Sequence, residues 1–224
     1  TNSEPSQISK RNYMREYVMS LTLRVEKQEV SRRGENMENG VNRQKNAILL
    51  SVVGDRGTGK SWVIEHFTLG KIPSNRRPTI SFRKFRTIIP LLGQTVDLKI
   101  FDFSGNTAMK RLPLSQIPKS QGCVVLYDIT NHESFIAAEA WLQSIRAHGR
   151  FYLQVVLLAN KLDLSKKRTV SYRDGSDLAR KYNAFFVETS AFDMERLTTI
   201  FQMLLMSIRF KLAELETDHV CIMQ

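Results

Sequence analysis

The chain changes texture repeatedly between unbroken apolar runs and helical spacing, and these changes predict its elements. Residues 47–53 (Ala47-Ile48-Leu49-Leu50-Ser51-Val52-Val53) are almost wholly apolar and end in a glycine-rich turn, the pattern of a buried strand. Residues 95–101 alternate, with Val96, Leu98 and Ile100 set against Asp97 and Lys99, as a half-buried strand should. Continuous apolar runs at 123–127 and 154–159 read as central parallel strands, which are covered on both faces. A shorter strand is expected at 184–187. Helical spacing appears after the first turn (Trp62, Val63, Glu65, His66, Phe67), over 135–147 (Ala138, Trp141, Leu142, Ile145), over 176–182, and over 197–212, where Ile200, Leu204, Leu205 and Ile208 share a face. Strands alternating with helices at these lengths predict an α/β fold, a doubly wound and mostly parallel sheet with helices on both faces. Ligands of such sheets bind outside the carboxyl ends of the strands.

This pattern divides the chain into three parts: a polar extension over 1–45, one α/β domain over 46–212, and a flexible tail over 213–224. Within the extension Tyr13, Tyr17, Val18, Leu21 and Val25 fall at helical spacing, so a short amphipathic helix and a disordered segment both stay open. The opening residues carry no secretory-signal pattern. No apolar run approaches the roughly 20 residues needed to span a bilayer. Two cysteines in unrelated contexts, Cys123 in an apolar run and Cys221 near the end, make no disulfide framework and point to a reducing compartment. The formal charge of +11 calls for acidic partners. The basic residues are scattered without interleaved aromatics, so direct nucleic-acid binding is not expected. His66, His132, His148 and His219 show no metal-ligand spacing.

The chemistry lies at the strand ends. Gly54-Asp55-Arg56-Gly57-Thr58-Gly59-Lys60-Ser61 fits G-x-x-x-x-G-K-[ST] between a strand and the helix opening at Trp62. Glycines allow the backbone to wrap a phosphate chain with its N–H groups inward, and the helix N-terminus adds partial positive charge. Lys60 can reach the outer phosphates, and Ser61 can offer its hydroxyl to Mg²⁺. Asp102-Phe103-Ser104-Gly105 can supply a carboxylate linked to Mg²⁺ and a backbone N–H for the terminal phosphate. Asn160-Lys161-Leu162-Asp163 follows the strand ending at Ala159. A carboxylate there can accept both N1–H and N2–H₂ of guanine, a pair that adenine does not donate. Ser190-Ala191 follows the last strand, and the Ala191 N–H can meet guanine O6. Each segment is weak alone, but their order, each at a predicted strand end, predicts a guanine-nucleotide binder and argues against an ATPase.

With these motifs in place, residues 46–212 resemble a Ras-superfamily G domain, the P-loop GTPase fold. Val124-Val125-Leu126-Tyr127-Asp128-Ile129-Thr130, then Glu133-Ser134-Phe135 and Trp141-Leu142, is similar to Rab proteins in particular. The resemblance implies GTP/GDP and Mg²⁺ as cofactors. The nucleotide would be held by Gly54 to Trp62, Thr79, Asp102, Gly105, Asn160, Lys161, Asp163, Ser190 and Ala191. The metal would be held by Ser61, the switch I threonine Thr79, and Asp102. Two switch segments, roughly 72–85 and 102–119, would order around the γ-phosphate and Mg²⁺. Effectors, an exchange factor and a GTPase-activating protein are the implied partners, and a switch in vesicle or membrane traffic the implied role.

Departures from that family pattern fall on hydrolysis. Lys60 and Thr79 keep the implied catalytic residue types. Rab and Ras proteins usually read Asp-Thr-Ala-Gly-Gln-Glu where this chain reads Asp102-Phe103-Ser104-Gly105-Asn106-Thr107. The family glutamine orients the attacking water, and Asn106 is one methylene shorter. Arg56 replaces a small residue facing the terminal phosphate. It is expected to obstruct water and an activating arginine, although a guanidinium there can also stabilise transition-state charge in cis. The resemblance therefore implies a slow GTPase. Its alternative is a constitutively GTP-bound scaffold. Switch I reads Thr79-Ile80-Ser81-Phe82-Arg83-Lys84 instead of Thr-Ile-Gly-x-Asp-Phe, Ile72 replaces an aromatic residue that covers the guanine, and Phe192 replaces the lysine after Ser-Ala. The basic set Arg76, Arg77, Arg83, Lys84 and Arg86 is expected either to attract acidic partners or to be plainly solvated.

The chain ends Cys221-Ile222-Met223-Gln224, a C-a-a-X box whose glutamine favours farnesyl. Prenylation of Cys221 would place the protein on the cytoplasmic face of an intracellular or plasma membrane, with a cytosolic pool. One prenyl chain binds only marginally, so the basic surface or the N-terminal segment would have to assist.

Overall fold

The computed structural model describes residues 47–72, 79, 81–91, 94–105 and 111–222. The N-terminal extension, Arg76, Arg77, Asn106 and the last two residues lie outside this set, and with them the expectations placed there. Six strands form one sheet: β1 (Ile48–Gly54), β2 (Phe82–Leu91), β3 (Gln94–Phe103), β4 (Gly122–Asp128), β5 (Gln154–Asn160) and β6 (Phe185–Glu188). Their order is β2-β3-β1-β4-β5-β6, with β2 antiparallel to β3 and every other pair parallel.

The interleaved helices are α1 (Lys60–Leu69), α2 (Arg111–Gln116), α3 (His132–His148), α4 (Tyr172–Lys181) and α5 (Met194–Ile222). Local chemistry sets their ends. Gly70 takes a left-handed φ of 64° and returns its N–H to the His66 carbonyl, closing α1. The Asn131 side chain accepts the Ser134 N–H at the start of α3, and Ser171 with Asp174 forms a capping box on α4. The two faces of the sheet bury separate cores. One joins Leu50, Val52, Leu126 and Leu158 to α1 and α5 through Ile64, Phe201 and Leu204. The other joins Val53, Tyr127 and Leu157 to α3 and α4 through Trp141, Leu142 and Leu178. Phe67 stacks on Phe201 at 3.9 Å between ring centroids, locking α1 to α5 beside the phosphate loop.

Two features differ from the sequence reading. Strand β2 was hidden because its exposed positions mix basic residues (Arg83, Lys84, Arg86) with apolar ones (Phe82, Ile88) and Pro90 interrupts its pattern. An edge strand tolerates both, since one row of its backbone groups faces away from the ladder. Helix α5 continues through Ile222, over ten residues read as flexible tail. The chain from Met194 onward contains no glycine or proline to stop it, and Lys211 pairs with Glu214 one turn on. No helix among the described residues is long and apolar enough to cross a membrane.

Candidate functional site

The loop from Gly54 to Gly59 leaves the C-terminal end of β1, where β3 and β4 diverge on either side, the switch point of the sheet. Gly59 begins α1 at φ 94°, and a Cβ there would stand 2.3 Å from Asn160 Nδ2, so only glycine fits. Lys60 is folded back under the loop, donating from Nζ to the carbonyls of Gly54 (3.0 Å) and Asp55 (2.7 Å). Burial draws its ammonium down to about 8, against the pull of Asp102 and Asp55. This places a cation at the mouth of a loop whose next N–H groups open a helix lacking a side-chain cap. Thr58 is buried, and its hydroxyl donates to the Asp55 carbonyl at 2.9 Å. The Trp62 indole is packed edge-on against Phe192 at 5.5 Å, which leaves the backbone N–H as its contribution to the loop.

The base loops are braced against the phosphate loop and each other. Asn160 is buried at the end of β5 and donates from Nδ2 to the Thr58 carbonyl at 2.8 Å; its Oδ1 has no partner among the described residues. Lys161 takes a left-handed φ of 68° and reaches Asp128 Oδ2 at 2.5 Å. Burial opposes ionisation of Asp128, but Lys161 and Thr130 more than offset it and hold the carboxyl below its ordinary range. Asp163 is exposed, and Ser190 Oγ donates to its Oδ1 at 2.6 Å. Leu162 N–H meets the Thr189 carbonyl, and Ala191 is buried with its carbonyl against His66 Nδ1 at 2.7 Å. Asp163 and Ser190 thus meet although they stand 27 residues apart in the chain, and Asn160 and Ala191 flank them in the same two loops. An exposed carboxylate such as that of Asp163 can accept both N1–H and N2–H₂ of guanine, a pair that adenine does not donate.

Ser61, Thr79 and Asp102 also come together. Ser61 Oγ lies 3.1 Å from Thr79 Oγ1 and donates to Asp102 Oδ2 at 2.7 Å. Adjacent ligands of an octahedral Mg²⁺ bound at about 2.1 Å stand about 3 Å apart, so the two hydroxyls fit such an ion. Asp102 is fully buried, and its Oδ1 has no partner among the described residues. The residues present fit a divalent cation. Gly105 lies so close to the phosphate loop that an added Cβ would be 2.4 Å from Arg56 N. Arg56 itself is exposed at the crest of that loop, where the segment after β3 arrives.

One group was not assigned to this site from sequence. Arg83 donates from Nε (3.2 Å) and Nη2 (2.9 Å) to Asp102 Oδ2 and from Nη1 to Glu65. The signal was its place four residues after Thr79, but only the β2–β3 register sets it opposite Asp102. The other described cations of the basic segment are also engaged within the chain. Arg86 forms a two-bond pair with Asp97 at 2.8 Å each, and Lys84 lies over the rings of Phe82 and Phe101. Cys123 is buried in β4, and burial pushes its thiol up to about 12, as expected of an inert cysteine. Cys221 lies in the last turn of α5.

Comparison with known proteins identifies the family. The sequence model of the Ras family matches residues 49–210. Ras-related protein RABA5e of Arabidopsis thaliana is 29% identical over 166 residues, covering 74% of this chain and 76% of the relative. Ras-related protein Rab2BV of Beta vulgaris is 30% identical over 157 residues, 70% of this chain and 73% of the relative. Ras-related protein Rab11C of Lotus japonicus is 29% identical over 157 residues, with the same coverage. A match across the whole α/β domain, with named relatives on the Rab side, means that the chain belongs to the Ras family and is a Rab-like small GTPase.

Proposed function

We propose that this protein is a guanine-nucleotide switch of membrane traffic that binds effectors in its GTP state and hydrolyses GTP slowly. The observation that carries this reading is the convergence of Lys60, Asn160, Asp163 and Ser190 on one side of the switch point. Lys60 would neutralise the outer phosphates, and Asp163 would accept the two guanine donors. Ser61, Thr79 and Asp102 would hold Mg²⁺, which when bound supplies charge neutralisation between the outer phosphates. Arg56, exposed on the phosphate loop beside Gly105, supports obstruction of the attacking water and of an activating arginine.

The same observation favours a second reading, a module that stays GTP-bound and works as a constitutive effector platform. In both, Cys221 carries a farnesyl group that holds the protein on a cytoplasmic membrane face, with a cytosolic pool. An exchange factor and effectors are partners in both, and an activating protein only in the first. The nucleotide released by denaturing the purified protein separates them. Mostly GDP supports the slow switch, mostly GTP persisting for hours with Mg²⁺ supports the platform, and no guanine nucleotide overturns both. A Cys221→Ser variant that still partitions with membranes in cells overturns dependence on the lipid.

A further inference from the structure

Arg83 lies on the one carboxylate that the metal residues share. Strands β2 and β3 pair antiparallel with Arg83 directly opposite Asp102, and Asp102 Oδ2 accepts from Arg83 Nε and Nη2 as well as from Ser61 Oγ. The third arm of the guanidinium reaches Glu65 on α1, so the cation is clamped between carboxylates of two elements. The Asp102 side chain has no exposed surface and that of Glu65 has 17%. A guanidinium does not lose its proton in a protein, so this charge is permanent.

Two consequences follow from charge alone. A divalent cation meeting Ser61, Thr79 and Asp102 meets a carboxylate already neutralised by one positive charge, and the guanidinium repels it at close range. An anionic phosphate arriving at Lys60 and Ser61 meets, conversely, a second fixed cation behind Asp102 whether or not a metal is present. We propose that Arg83 acts as a resident cation on the metal carboxylate, weakening Mg²⁺ binding and making nucleotide retention largely independent of it. This inference rests on the nucleotide reading above. Arg83 is a positioning and charge-compensating residue, since the group it touches is Asp102.

The test uses the full chain loaded with a fluorescent GDP analogue, its release followed in excess GDP with either Mg²⁺ or EDTA. In the wild type, EDTA is expected to speed release no more than about threefold, and Arg83→Gln should raise that ratio by about tenfold or more. Arg83→Lys, which keeps the charge, should stay near the wild type. Binding of Mn²⁺ to the GDP-loaded proteins, read as free Mn²⁺ by electron paramagnetic resonance, should be about tenfold tighter in Arg83→Gln. Equal EDTA ratios and equal Mn²⁺ affinities in wild type and Arg83→Gln overturn the proposal while leaving nucleotide binding intact. A wild type that retains no nucleotide even in Mg²⁺ overturns the nucleotide reading, and this inference with it.

Discussion

The base end and the metal end of this site are built on different parts of the sheet. The base loops leave β5 and β6, in the parallel part of the sheet, and Asn160 and Ala191 are buried while they hold the loops together. The metal end borders the β2–β3 hairpin, where β2 is an edge with Phe82, Arg83, Lys84, Arg86 and Ile88 exposed. The base end keeps the residue types that the family pattern implies through Asp163 and Ala191. The metal end keeps Ser61, Thr79 and Asp102 but carries Arg83 beside them, and the base end's own departures, Ile72 and Phe192, are likewise on exposed side chains. A residue such as Asn160 answers to both the core and the ligand, so replacing it disturbs both. At an exposed edge, a changed side chain costs the fold little and is free to acquire a new partner, as Arg83 has.

The largest blow to this contrast is a change at the base end. The wild type should prefer GDP to ADP by on the order of 10⁴, and Asp163→Ala should remove about 10³ of that, read by competition titration. A preference unchanged by this substitution places guanine recognition elsewhere. Next comes hydrolysis at the phosphate end. Restoring the family residues in the double variant Arg56→Gly with Asn106→Gln should raise single-turnover GTP hydrolysis on the order of 10²-fold. No gain would mean that neither residue limits the step.

A smaller effect concerns protons at Lys60. Its pKa in the folded chain, about 8, lies below the ordinary 10.5, so the folded state releases this proton before the unfolded state does. Ligand-free stability should therefore rise as pH climbs from about 8 to 10.5. Phosphate favours the charged form, so GDP affinity should fall by up to about tenfold per pH unit above about 8. Lys60→Arg, charged throughout, should retain only the slope of guanine's own N1–H. Identical slopes would show that Lys60 enters the complex already charged. The smallest expected effect tests the open face of the base. Ile72 is 48% exposed, and Ile72→Phe should slow GDP release by about fivefold through stacking. An unchanged rate would mean that residue 72 does not cover the guanine.

How much was legible in advance follows the same divide. Strands β1, β3, β4, β5 and β6 announced themselves because a buried strand needs apolar residues in a short continuous or alternating run, a local signal. The phosphate loop and Asn160 to Asp163 were legible because each places several residue types at fixed short spacing. Strand β2 was not: its burial alternates from Phe85 to Leu91, but exposed Ile88 and half-buried Thr87 invert the apolar–polar pattern that would announce it. Trp62 was grouped with the nucleotide residues by adjacency, and its indole instead packs on Phe192, 130 residues away.

The sequence by itself determined the order of strands and helices, the phosphate loop at the end of β1, and the guanine-type residues at the ends of β5 and β6. Short-range spacing and periodicity suffice for these, because helix, strand and turn are decided largely by neighbours within a few residues. Only the tertiary structure decided that Asn160 ties down Thr58, that Ser190 holds Asp163, and that Arg83 rests on Asp102. Each of these pairs depends on strand register, and a shift of one residue in β2 would turn Arg83 to the other face of the sheet. Register in the parallel strands is set by the summed packing of both cores, which no local stretch of sequence contains, and in the β2–β3 hairpin by the turn together with the burial of Ile89 and Leu91.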